Sequence, residues 1–281
     1  MKVNMYFAIL ALGSIGLQSC DKDDNLSNAD LPVALQRAFA EKYPNATRIE
    51  WEMKGSYYEA EFIQDNVPAS AWFAPDGGWE MTETDIRYEA LPVIVQTAFK
   101  SSKYAQWRVD DVDQLERKGT EMIYVLDVES GNQEADLYYS KDGILIKAVN
   151  DIDDDDVHTP PITPPASSVV ADFIKEKYPN ARIIETEVER GITEVDIIHD
   201  NIGKEVKFGS TNEWLSTSWE IRTLPTPVKN AIQEKYGTYR VDDADFFETP
   251  TGNYYLVELE KNGALDVTVE VNANGEFLNL L

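Results

Sequence analysis

The chain has 281 residues but only one cysteine, two histidines and 25 basic side chains against 51 acidic ones. A single cysteine excludes an intrachain disulfide framework and any thiolate zinc site. The histidines are far apart and in poor places for chemistry. His158 sits among prolines, and His199 ends an alternating segment just before Asp200-Asn201, so neither has a second histidine with which to hold a metal. Beyond the leader there is no Gly-x-Ser-x-Gly elbow, and no phosphate loop or dinucleotide fingerprint follows a strand. The formal net charge of −26 repels nucleic acid and anionic headgroups and favours basic partners or cations. With 43% hydrophobic and 11% aromatic residues, the chain nevertheless has ample material for a globular core.

The one cysteine has a telling position. Lys2 supplies a positive start, and an apolar run from Tyr6 to Leu17, too short to span a bilayer comfortably, ends in Leu17-Gln18-Ser19-Cys20. This resembles a bacterial lipobox, so residues 1–20 are expected to form a lipoprotein signal peptide and Cys20 to carry the lipid. Stable membrane attachment would then come from acyl chains alone. The cluster Asp21, Lys22, Asp23, Asp24 resembles an export signal to the outer face of the outer membrane, within an acidic tether over 21–29. The expected location is the outer membrane, lipid-anchored and surface-exposed, with a periplasm-facing anchor as the alternative.

Internal repetition dominates the rest. Leu31-Pro32, Leu91-Pro92 and Leu224-Pro225 open segments of helical period that end near Lys42-Tyr43, Lys103-Tyr104 and Lys235-Tyr236. The remaining copy, third in chain order, opens at Ala166-Ser167 and reaches Lys177-Tyr178. The first and third copies share Glu-Lys-Tyr-Pro-Asn-Ala at Glu41–Ala46 and Glu176–Ala181. The second and fourth share Arg-Val-Asp-Asp-x-Asp at Arg108–Asp113 and Arg240–Asp245. A two-repeat unit was therefore itself duplicated, giving domains over 30–149 (repeats 30–86 and 90–149) and 166–281 (repeats 166–222 and 223–281). Residues 150–165, rich in aspartate and proline, read as an extended, solvated spacer. Their aspartate run lacks the glycine turn and distal glutamate of an EF-hand loop.

Within the first repeat, Asp30 is the expected helix N-cap, with Pro32 in the first turn. Leu35, Phe39 and Tyr43 recur at helical spacing, and Pro44 stops the helix. Alternation follows in Thr47–Met53, placing Ile49, Trp51 and Met53 on one side, and then in Tyr57–Phe62. A third strand runs to Ala74, and the turn Pro75-Asp76-Gly77 leads into a fourth. The fold class expected is α+β: two tandem domains, each two repeats of one helix plus a four-stranded antiparallel meander, with helices on one face of the sheet. This lipobox, Tyr-Pro-Asn-Ala after the helix, and Asp-Gly before the last strand resemble the PepSY-like, beta-lactamase-inhibitor-like lipoproteins. The resemblance implies a sheet face able to dock another protein and carries no catalytic residues.

A sheet covered by helices on one side leaves the other to water. In the second strand of every copy, the side opposite the apolar residues carries a carboxylate pair: Glu59/Glu61, Asp127/Glu129, Glu194/Asp196 and Glu258/Glu260. Glu50/Glu52 and Glu185/Glu187 extend two of these rows, and Tyr57, Trp72 and Tyr138 share the outward phase. Such rows repel internally by a few tenths of a kcal/mol per close pair, about the scale at which a compensating cation becomes welcome. A solvated row also lacks the burial that separates an acid's pKa from a base's, so no enzyme and no cofactor is expected. The expected partner is a protein or peptide with a basic patch, docked on the acidic face in the manner of a hydrolase inhibitor. A carbohydrate module, weak Ca2+ binding and a ligand-free spacer are the alternatives.

Overall fold

The computed structural model describes residues 26–27, 30–151 and 165–278. Cys20, Asp21, Lys22, Asp23, Asp24 and most of the Asp/Pro spacer lie outside the described residues. The first half comprises α1 (Val33–Lys42), β1 (Thr47–Lys54), β2 (Tyr57–Gln64), β3 (Val67–Phe73), β4 (Trp79–Asp85), α2 (Val93–Lys100), β5 (Arg108–Arg117), β6 (Ile123–Ser130), β7 (Gln133–Ser140) and β8 (Leu145–Asp151). The second comprises α3 (Ser168–Lys177), β9 (Arg182–Glu189), β10 (Ile192–His199), β11 (Ile202–Phe208), β12 (Trp214–Glu220), α4 (Thr226–Tyr236), β13 (Arg240–Glu248), β14 (Tyr254–Glu260) and β15 (Val267–Val271). The two repeats of each half do not keep separate sheets. β4 pairs with β5 and β12 with β13, making one eight-stranded and one seven-stranded antiparallel meander. In the last copy the described chain beyond β15 returns only as an isolated bridge, Val271 to Phe277.

Prolines start three of the helices. Pro32, Pro92 and Pro225 stand at the N-cap with φ of −55°, −52° and −59°, and only the third copy has a side-chain cap, Ser167 accepting from the Val170 amide. Asp30 is therefore not the cap expected. The helix begins later, at Val33, and Asp30 instead accepts from the Ser27 hydroxyl and amide. Each helix lays two apolar residues on its sheet: Leu35 and Phe39 meet Trp51, Phe62 and Phe73, and Val95 and Phe99 meet Leu126, Leu137 and Tyr139. Val170 and Ile174 meet Ile197 and Phe208, and Val228 and Ile232 meet Leu259 and Val271. Ile49 departs from the expected core phase. A bulge between Thr47 and Glu50 turns it outward, and Met53, one residue from the end of β1, is also exposed.

The repeated motifs turn out to be pins between helix and sheet. Tyr43 hydroxyl and Trp79 Nε1 both bond Thr82 Oγ1, and Lys42 Nζ sits 3.7 Å over the Trp79 ring. The third copy repeats this with Tyr178, Trp214, Thr217 and Lys177. A Cβ on Gly77, at φ +88°, would lie 2.8 Å from the Ala34 carbonyl oxygen, so the turn before the fourth strand fits under the helix only as glycine.

Candidate functional site

The strand phases place every predicted carboxylate pair on the side away from the helices, because Ala60, Leu126, Val195 and Val257 beside them are core residues. Their exposure is not uniform. Glu61 and Glu258 are exposed, and Asp127, Glu129, Glu194, Glu260 and Tyr57 are half-buried. Glu59, at 6% exposure, and its cross-strand neighbour Trp72, at 3%, are buried, contrary to the open row expected there. Burial, helped by a hydrogen bond with Glu52, pushes the Glu59 carboxyl up to about 8. Glu52, Glu59 and Glu61 bring carboxylate oxygens within 4.8 Å of one another. A cation is already built in beside them: Lys54 Nζ lies 2.7 Å from Glu52 and 3.8 Å from Glu59.

Asp196 is 8% exposed and Tyr138 is half-buried for a different reason. The helix-free face of the second sheet is not wet along its length, because it holds the first domain. β8, the edge strand of the first sheet, runs against β10 and β11. Leu115, Ile123 and Ile146 pack on Ile184 and Ile198, flanked by Tyr138 and Val125. Lys147 Nζ lies 2.7 Å from Glu185 and 3.0 Å from Asp196, and Arg117 Nη1 reaches Glu185 at 3.0 Å. Burial alone would lower the Lys147 pKa, but Asp196, Glu185 and Glu187 outweigh it and raise it. Gly203 makes the close approach possible, since a Cβ there would sit 2.5 Å from the Ile146 and Leu145 carbonyl oxygens. Farther along the same face, Lys103 Nζ bonds Asp243 at 2.8 Å and stands 4.0 Å from Glu220.

The corresponding face of the first domain is left open over its first repeat, where it forms a cleft of about 360 Å³. Its acidic lining is Glu50, Glu61, Glu83, Asp85, Asp111 and Asp113, with Arg48 the one cationic residue there among the described residues. Cross-strand neighbours bring these carboxylates together: Glu50 faces Glu61, Asp85 faces Asp113, and Asp111 faces Asp127. Burial, then the charges of Glu83, Asp111 and Asp85, pushes the Asp113 carboxyl up to about 8. Among the described residues, no histidine lines the cleft. His199 is half-buried against the Tyr178 ring in the other domain. Sequence reasoning missed Glu83 and Asp85, which end a strand with no internal pattern. Asp111 and Asp113 were visible only as part of the repeated Arg-Val-Asp-Asp-x-Asp, whose role on the sheet needed the register.

The family model described as "Putative beta-lactamase-inhibitor-like, PepSY-like" matches residues 18–65, 56–147 and 193–279. The chain belongs to this family. Among solved structures, it is similar to a BLIP-like protein of Bacteroides fragilis, at 40% identity over 46% of this chain and 92% of that one, with a TM-score of 0.44. It is also similar to a DUF2874 family protein of Bacteroides ovatus, at 34% identity over 43% and 87% of the two chains, TM-score 0.42. A protein of Bacteroides eggerthii described as "putative periplasmic" shares 26% identity over 43% and 88%, TM-score 0.41. No curated protein matches the chain.

Proposed function

We propose that this protein is a non-catalytic, lipid-anchored binding module of the outer membrane that docks a protein or peptide on the helix-free face of its first domain. One observation carries the reading: six carboxylates converge on an open cleft in that face, with Arg48 the only cation lining it among the described residues. A field of this sign steers a basic surface to the site and fixes its orientation more than it adds raw affinity. The family's inhibitor-like character makes an extracellular hydrolase a natural target class. Cys20 would carry the acyl chains, with Asp21–Asp24 directing the protein outward. Replacing Cys20 by Ala should release the protein from membranes and abolish fatty-acid labelling.

The direct test is to measure binding of candidate secreted hydrolases at low and high salt, for the native chain and for Glu61→Lys. Binding weakened by both salt and charge reversal supports the reading. Hydrolysis of a glycoside panel by the purified protein, lost in Asp113→Asn, would overturn it, because a protonated aspartate beside ionised carboxylates is also an acid–base arrangement. A sugar ligand whose binding ignores both salt and Glu61→Lys would favour a carbohydrate module instead.

A further inference from the structure

The second domain shows what this sheet face can hold. The shared Glu-Lys-Tyr-Pro-Asn-Ala sets Glu50 and Glu61 in the place of Glu185 and Asp196, and the register agrees, with each pair directly cross-strand. The shared Arg-Val-Asp-Asp-x-Asp sets Asp111 and Asp113 in the place of Asp243 and Asp245. Cross-strand pairing then makes Asp85 the counterpart of Glu220, and Asp127 that of Glu258. In the second domain the two acidic groups are filled by lysines of the first: Lys147 between Glu185 and Asp196, and Lys103 against Asp243 and Glu220. In the first domain the counterparts of all four acids line one open cleft.

We infer that this cleft is a receptor for lysine side chains presented by a strand of a partner protein, because it reproduces the acidic surface with which the second domain grips Lys147 and Lys103. The inference rests on the binding-module reading and gives its partner a chemistry. Two differences between the domains define that partner further. Pro68 replaces Gly203, so an incoming backbone cannot seat as closely as β8 does, and the lysine side chains must reach in from a greater distance. This disfavours the β8 strand of a second copy as the occupant. Trp72 replaces Lys207, which in the second domain bonds Glu194 at 3.1 Å and Glu205 at 3.0 Å, so the first face has no lysine of its own at this position. Arg48, at the place of Ile183, makes no salt bridge among the described residues, so it leaves Glu50, Glu61, Asp85 and Asp111 to an incoming cation.

The test uses the full mature chain and a terminally blocked peptide of alternating isoleucine and lysine, which repeats the Ile146-Lys147 pair. Binding is measured by calorimetry, and contacts are mapped by carbodiimide cross-linking of peptide lysines to protein carboxylates. Saturable one-to-one binding is expected, about tenfold weaker in the double variant Glu61→Gln, Asp111→Asn and unchanged in the distal control Glu89→Gln, Glu234→Gln. Cross-links are expected on Glu50, Glu61, Asp85 or Asp111. Equal weakening in both variants, or cross-links scattered outside the cleft, would overturn the assignment. So would calcium binding at the cleft with no peptide binding, or cleft-dependent self-association seen by sedimentation without peptide binding. A hydrolase that binds this protein but cross-links outside the cleft sinks this inference alone; the absence of salt-dependent binding to any partner sinks the binding-module reading with it.

Discussion

Lys147 Nζ lies 2.7 Å from Glu185 Oε2, and the two residues belong to different domains. Glu185 is 3% exposed and also receives Arg117, so two cations of the first domain end on one buried carboxylate of the second. Removing Lys147 leaves Glu185 with Arg117 alone and Asp196 buried without its cation, and an unpaired buried charge costs more than the pair contributes. Lys147→Ala should therefore lower the unfolding free energy by about 3 kcal/mol. Denaturant unfolding checks this. A loss below about 0.5 kcal/mol, the scale of a surface pair, would mean that the contact is solvent-screened.

Gly203 makes a separate prediction about domain docking. Its ideal Cβ position lies 2.5 Å from two backbone oxygens of β8 and 2.7 Å from the Ile146 Cα, and backbone cannot yield as a flexible side-chain tip can. Gly203→Ala should push the domains apart while each sheet stays folded. Small-angle scattering should show a larger radius of gyration with unchanged circular dichroism, and stability should fall by about 1–3 kcal/mol.

Thr217 is fully buried and accepts from both Tyr178 hydroxyl and Trp214 Nε1. Thr217→Val keeps the shape but strands the indole N–H. A loss of about 2 kcal/mol is expected, read from thermal or denaturant unfolding. The single Tyr178 hydroxyl proton can still go to Glu248 Oε2 at 2.7 Å, so Thr217→Val does not strand the tyrosine.

Asp113 predicts a pH dependence of definite sign. Its folded pKa of about 8 lies above the ordinary 3.8, so between these values the folded state holds a proton that the unfolded state has released. Stability must then fall as pH rises from about 4 to about 8 through this group. Asp113→Asn should flatten that decline and stabilise the protein at pH 8 by about 1 kcal/mol, less than full burial would give, because the half-buried site is partly screened. Unfolding midpoints at pH 5 and pH 8 test it. An identical pH response in both proteins would show that Asp113 ionises normally.

Much of the fold was legible because it depends on local chemistry. Leu31-Pro32 and Leu91-Pro92 mark helix starts whatever the rest of the chain does, since proline fixes φ and lacks the amide a helix interior needs. Alternation in Tyr57–Phe62 assigns faces because strand side chains point to opposite sides in turn. The bulge that turns Ile49 outward, and the Pro32 cap that displaces Asp30, are shifts of one or two residues with no signature in the pattern. The acidic pair Glu59/Glu61 was visible as a pair. That Glu59 is buried beside Trp72 while Glu61 opens on a cleft was not, since both have the same phase and type.

The sequence by itself determined the repeat, the helix–meander unit and the side of each strand that is acidic, because propensity, period and turn chemistry act over a few residues. Only the tertiary structure decided that one acidic face would be filled and its twin left open. Glu50 and Glu185 occupy the same place in their repeats, yet only Glu185 meets Arg117 and Lys147. Their different fates follow from the packing of one sheet's edge onto another's face, a contact between residues far apart in the chain that no local pattern encodes.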